Sequence, residues 1–202
     1  LGRTLFSFGK GNTSGNFATV HINGFANEVT HRYIYYKLAE SEEINPLSFA
    51  QYVNLVTYGD DSLGVVSSEV AKWYNGNTLA PMFLKHFGMI YTNANKGTDL
   101  SLVDKGKVTF CKRSFHYNPD LRTVVGTLPI EVIIEITNWI HTCADPSKAT
   151  VDNIEFAHSE IFLYGKEEYE KFSSQAREIC EEAKLQYVPQ TYAHRCREFL
   201  KK

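Results

Sequence analysis

Tyr52-Val53-Asn54-Leu55-Val56-Thr57-Tyr58-Gly59-Asp60-Asp61-Ser62-Leu63-Gly64-Val65-Val66-Ser67 sets two β-rich runs, Tyr52 to Thr57 and Ser62 to Ser67, around the tetrapeptide Tyr58-Gly59-Asp60-Asp61. Gly-Asp between two such runs predicts a β-hairpin closed by a tight turn. Its tip carries two adjacent carboxylates, Asp60 and Asp61, which are hard oxygen ligands suited to Mg²⁺. An Asp-Asp pair taken alone is usually an ordinary polar turn. The flanking apolar strands are what lift this one out of that class. Because neighbouring residues of a strand face opposite ways, Asp60 and Asp61 are not equivalent. Asp60 is assigned the central metal-binding role, with Asp61 assisting.

Working outward, residues 1 to 16 are rich in Gly, Ser, Asn and Thr and read as a loop that ends at Ser14-Gly15. Apolar periodicity then predicts a helix from Phe17 to about Leu38. Thr19, Asn23 and Asn27 lie four apart and so share one face of it. Hydroxyl and carboxamide groups both donate and accept, as recognition of a ribose 2′-hydroxyl requires. On its own such a stripe is more often a solvated face.

Downstream, Leu79 to Phe87 predicts a helix stopped by Gly88, and a short strand leads into the Asn-rich loop Asn93 to Gly97. A second strand pair follows, with Lys107 to Phe115 as its clearest member. After Pro119 the texture turns helical. Leu128-Pro129, Asp145-Pro146 and Val188-Pro189 each place proline where a helix begins, and Gly165 suits a stop between two of them. The predicted class is α+β, with a strand-and-helix half at residues 1–118 and a helical half at 119–202.

The formal net charge of -2 over 202 residues argues against a generic nucleic-acid binder, so any RNA contact comes from local basic clusters. The four cysteines are scattered without a CxxC pair, which speaks against a zinc site. The longest apolar stretch, Val124 to Ile140, is interrupted by Glu131, Glu135 and Asn138, so no transmembrane segment is expected.

The hairpin tetrapeptide resembles motif C of the RNA-dependent RNA polymerases of picornavirus-like positive-strand RNA viruses, and further motifs follow in that family's order. Ser14-Gly15 with Thr19, Asn23 and Asn27 resembles motif B, which implies nucleotide contacts from these five residues. Gly24 departs from the family's frequent serine after the asparagine. The run Phe87 to Lys96 resembles motif D, which makes Lys96 a general acid for the departing pyrophosphate. Phe110-Cys111-Lys112-Arg113 resembles motif E, which grips the primer. Lys112 and Arg113, taken as neighbours on one strand, would face opposite ways, so at most one reaches phosphate while the other pairs with carboxylates. Tyr58 and Gly59 are placed beside the primer end. Residues 119–202 are similar to the helical thumb, with a helix reaching Trp139, Gly165 to Tyr169, and a final Tyr192 to Phe199 helix that carries Arg195 and Arg197.

The resemblance implies a right-hand palm, an antiparallel sheet with its hairpin packed on helices, followed by a thumb. It implies RNA-templated RNA synthesis with Mg²⁺ or Mn²⁺, and as partners template and product RNA, nucleoside triphosphates and other viral replication proteins. The implied location is host cytoplasm, at membrane-associated replication complexes. Insect or marine picorna-like viruses fit the texture of the motif B and thumb segments.

The family's motif A supplies a further metal-binding Asp several tens of residues before motif B, and only thirteen residues precede Ser14. Asp99 and Asp104 have a similar spacing but follow motif D, and are read as a surface pair. The expectation is a C-terminal part of a longer polymerase, lacking fingers and motif A, inactive alone and completed by those segments. The rival readings are a reverse transcriptase, which shares an aromatic-x-Asp-Asp hairpin, and a non-catalytic RNA-binding module with a palm-like fold.

Overall fold

Pairing of Tyr58 with Asp61 leaves only Gly59 and Asp60 to turn the chain between β1, Val53–Tyr58, and β2, Asp61–Val66. A two-residue hairpin turn needs left-handed backbone, and Gly59 supplies it with φ +63°. This is a computed structural model, and it describes residues 18–201. Ser14, Gly15 and the expected helix start at Phe17 lie outside the described residues. Contacts divide the chain into two compact units, residues 1–103 and 104–202.

In the first unit, α1 (Thr19–Ser41) lies against β1, and α2 (Phe49–Tyr52) leads directly into that strand. Alternation along the hairpin points Val53, Leu55 and Thr57 inward, together with Ser62 and Val66 across the pair. Leu55 and Val66 join a core built from Ile34, Tyr35, Phe49, Val70, Trp73, Tyr74, Leu79 and Phe83. Tyr35 meets Phe49 and Tyr74 edge-on at centroid distances of 5.3 and 5.4 Å, a favoured aromatic geometry.

Helix α3 (Gly76–Phe87) starts three residues before the expected Leu79, because Asn75 caps it. The Asn75 side chain accepts from the Asn77 and Thr78 amides, and Thr78 Oγ1 accepts from the Asn75 amide at 3.1 Å, a reciprocal capping box. Gly88 ends the helix in left-handed backbone, as expected. The short strand expected between Gly88 and the Asn93 loop has no strand partner among the described residues. Asn93 then closes the following loop: its Oδ1 accepts from the Asn95 and Gly97 amides and its Nδ2 donates to the Asp99 carbonyl.

The second unit opens with a three-stranded antiparallel sheet, β3 (Thr109–Phe110), β4 (Arg113–Asn118) and β5 (Thr123–Thr127), in that order. The expected single run from Lys107 to Phe115 is broken by a two-residue turn, Cys111-Lys112, both left-handed at φ 51° and 63°. Lys112 is therefore a turn residue, not a strand neighbour of Arg113. The strand β5 lies beyond Pro119, where helical texture was expected. Its Thr123-Val124-Val125 run pairs with β4 across a turn in which Asn118 Oδ1 accepts from the Asp120 and Leu121 amides.

Four helices follow: α4 (Ile130–Ile136), α5 (Pro146–Ile161), α6 (Lys166–Glu182) and α7 (Tyr192–Leu200). The proline signals hold for α4 and α5, where Pro129 precedes the first turn and Pro146 opens the helix behind the Asp145 cap. The α4 helix stops at Ile136, short of Trp139. Gly165, at φ 104°, separates α5 and its short 3-10 extension from α6. Leu121, Val125, Ile133, Ala157, Ile161, Phe162, Tyr169 and Tyr192 form the core of this unit.

Candidate active site

The acidic pair sits at an exposed tip, and Asp61, paired with Tyr58, lies on the hairpin face that also carries the exposed Val56 and Val65. The opposite face meets α1. Thr57 Oγ1 donates to the Gly24 carbonyl at 3.2 Å. A Cβ at Gly24 would stand 3.3 Å from Thr57 Oγ1 and 3.7 Å from the Gly59 nitrogen, so the bare glycine lets the helix backbone approach the turn. One helical turn on, Asn27 Nδ2 donates to the Asp60 carbonyl at 3.0 Å, with the Gly59 and Asp61 carbonyls each at 3.5 Å. Asn27 thus reaches the backbone that carries the acidic pair. Thr19 and Asn23 lie further toward the start of the same helix.

His31 continues the four-residue spacing of Thr19, Asn23 and Asn27, so the signal that finds it is present in the sequence. It is buried, with Ser62 Oγ 3.4 Å from Nε2 and Tyr74 Oη 3.1 Å from Nδ1. Phe83 and Tyr91 meet its ring edge-on. Burial pushes the imidazole down to about 4, so it is neutral at pH 7 and serves as a hydrogen-bonding strut beneath β2. The Tyr74 and Tyr91 phenols are pushed up, again by burial first.

Among the described residues, neither Asp60 nor Asp61 forms an ion pair with a lysine or arginine. Two consecutive carboxylates at a solvent-facing turn fit a hard divalent cation such as Mg²⁺. Lys96 is exposed at the end of the Asn93 loop, in left-handed backbone at φ 57°, its amide donating to the Asn93 carbonyl.

In the second unit, Lys112 is exposed at its turn. Arg113 is held in a forked pair with Glu160, Nη1 to Oε2 at 2.7 Å and Nη2 to Oε1 at 2.9 Å, and Nη1 also donates to the Gly126 carbonyl at 2.9 Å. The hydrogen bond to Glu160 holds the guanidinium's pKa above its ordinary value. Of the two alternatives for this pair, Arg113 takes the carboxylate. Arg195 likewise pairs with Glu155 rather than standing free on the last helix. A network that starts in the core and runs outward, of which sequence spacing gives no sign, links buried Ser173 Oγ, 2.6 Å from His158 Nε2, through His158 Nδ1 to half-buried Tyr187 and Glu155. Burial first, and then Arg195, pushes His158 down to about 4.

The family described as viral RNA-dependent RNA polymerase matches residues 1–181. The chain is 35% identical over 167 residues, 80% of its length, to the replicase polyprotein of Drosophila C virus, covering 9% of that protein. It is 29% identical over 193 residues, 94% of its length, to the replicase polyprotein of Cricket paralysis virus, covering 11% of it. It is 30% identical over 186 residues, 89% of its length, to the RNA1 polyprotein of Cherry rasp leaf virus, covering 8% of it. The chain spans about a tenth of these polyproteins. A family match over most of the chain, with the acidic hairpin inside it, places the chain in the viral RNA-dependent RNA polymerase family.

Proposed function

We propose that this chain is the C-terminal part of a viral polymerase, palm core followed by thumb, and that within the complete enzyme it performs RNA-templated RNA synthesis. The observation that carries the reading is the exposed Asp60–Asp61 pair at a hairpin tip fastened to α1, in a chain of the polymerase family. Fingers and the motif A carboxylate come from other segments of the same polymerase.

Asp60, helped by Asp61, holds Mg²⁺ or Mn²⁺. When bound there, the cation supplies Lewis-acid activation of the primer 3′-hydroxyl and charge neutralisation on the triphosphate. Thr19 and Asn23 test the sugar through its 2′-hydroxyl, with Ser14 and Gly15 in the loop before them. Tyr58 and Gly59 lie beside the primer end. Lys96, exposed in its loop, donates a proton to the departing pyrophosphate. Lys112 grips primer phosphate from its turn, while Arg113, through Glu160, braces the strand behind it. Template and product RNA, nucleoside triphosphates and other viral replication proteins are the partners. Membrane-associated replication complexes in the host cytoplasm are the site of action. No helix among the described residues is long and apolar enough to cross a membrane.

The test is substrate preference. The complete polymerase, given an RNA template and primer, is expected to incorporate ribonucleotides in preference to deoxyribonucleotides. Preference for deoxyribonucleotides would move the assignment to a reverse transcriptase.

A further inference from the structure

Three groups on one face of α1 touch the acidic hairpin: the Gly24 carbonyl takes the Thr57 hydroxyl, Asn27 reaches the turn, and His31 meets Ser62. Their spacing of three and four residues is the helical repeat, so one rigid element carries all three. Asn27 differs from the other two. Its single nitrogen faces the carbonyls of Gly59, Asp60 and Asp61, the three consecutive residues that set where both carboxylates point. A carboxamide nitrogen has two hydrogens to donate and nothing to accept with, which matches a cluster of carbonyl oxygens. Among the described residues Asp60 and Asp61 are exposed and a Cβ at Gly59 would meet no neighbour, so Asn27 adds a side-chain hold to the turn beyond the Tyr58–Asp61 strand pairing and the close approach of Gly24.

We propose that Asn27 is a positioning residue for the Asp60–Asp61 pair rather than a reader of the nucleotide. It holds the turn at a fixed distance from the Thr19 and Asn23 face of the same helix, so the groups that test the sugar and the groups that hold the metal share one mount. Asn27→Asp keeps the shape, removes the donor and sets a carboxylate against the carbonyls. Asn27→Ala removes the donor without that repulsion. The expected order of function is Asn, then Ala, then Asp.

The inference rests on the polymerase reading above, and its test separates the two. In the complete polymerase, kcat, the ribonucleotide KM, the ribose-to-deoxyribose preference and direct Mn²⁺ binding by electron paramagnetic resonance would be measured for both variants beside Asp60→Ala. Thermal melts would identify any variant that fails to fold. Asn27→Ala is expected to lower kcat about 10- to 100-fold and weaken Mn²⁺ binding about tenfold, with KM and sugar preference nearly unchanged. Asn27→Asp should go further in the same direction. If the folded variants bind Mn²⁺ normally, or lose sugar preference with a raised KM and an intact kcat, Asn27 is not a positioning residue. If Asp60→Ala still synthesises RNA, it is the polymerase assignment of the hairpin that fails instead.

Discussion

Gly59 and the two buried histidines bear on stability through backbone conformation and through protonation. At Gly59, in left-handed backbone at φ 63°, a Cβ would meet none of the described residues, so the cost of Gly59→Ala is conformational. That cost is about 1 kcal/mol in urea unfolding, with the turn relaxing and synthesis falling by more than the stability loss alone explains. His31 and His158 are both held neutral, at about 4, against an ordinary value of 6.5. Between pH 6.5 and 4 the unfolded chain binds protons that the folded chain refuses, so stability rises with pH across that window. The full contribution is present above pH 6.5 and disappears as pH falls towards 4, up to about 3 kcal/mol for each histidine. Unfolding measured from pH 7 down to 5, above most carboxylate titration, should show this slope. His31→Gln or His158→Gln should each remove part of it, and an unchanged slope in both variants would refute the assignment.

Helix ends and turns decide how much of the molecule can be read from residues alone, and the strand that opens at Arg113 shows where that reading stops. Glycine and proline announce their own backbone, so the Gly59 turn, the Gly88 stop, the Gly165 break and the helices behind Pro129 and Asp145-Pro146 were legible. The Cys111-Lys112 turn was not, because neither residue is the glycine or asparagine that normally marks left-handed backbone. Thr123 to Thr127 is not legible as a strand, since its partner β4 is a tertiary choice and Pro129 just beyond it reads as a helix signal. At the site, the acidic pair and the Thr19, Asn23, Asn27 face were visible as chemistry. That Asn27 reaches the hairpin backbone, and that Arg113 pairs with Glu160 47 residues on, depends on packing that local spacing does not encode. The two neighbours should therefore separate experimentally. Lys112→Ala is expected to weaken RNA binding by the complete polymerase and reduce its salt dependence, with the melting temperature unchanged. Arg113→Ala leaves Glu160 and the Gly126 carbonyl without their donor and should cost about 1–3 kcal/mol of stability. Equal effects of both on RNA binding, with no stability difference, would contradict this division.

At the scale of the molecule, each unit encloses its own core, one around Tyr35 and Tyr74 and the other around Ile133 and Tyr169, so each carries its side chains on an independently packed frame. On the reading proposed above, two-metal phosphoryl transfer draws on carboxylates beyond Asp60 and Asp61. The 202-residue chain by itself is accordingly expected to give no primer extension, and efficient Mg²⁺-dependent incorporation by it would show that the pair needs no further carboxylate. The central claim is that the pair at the hairpin tip carries the chemistry. Its most direct test is Asp60→Ala in the complete polymerase, with single-nucleotide incorporation and RNA binding measured on the same preparation. Incorporation should fall about a thousandfold or more while RNA affinity stays within about twofold of the parent enzyme. Retained incorporation would contradict the account.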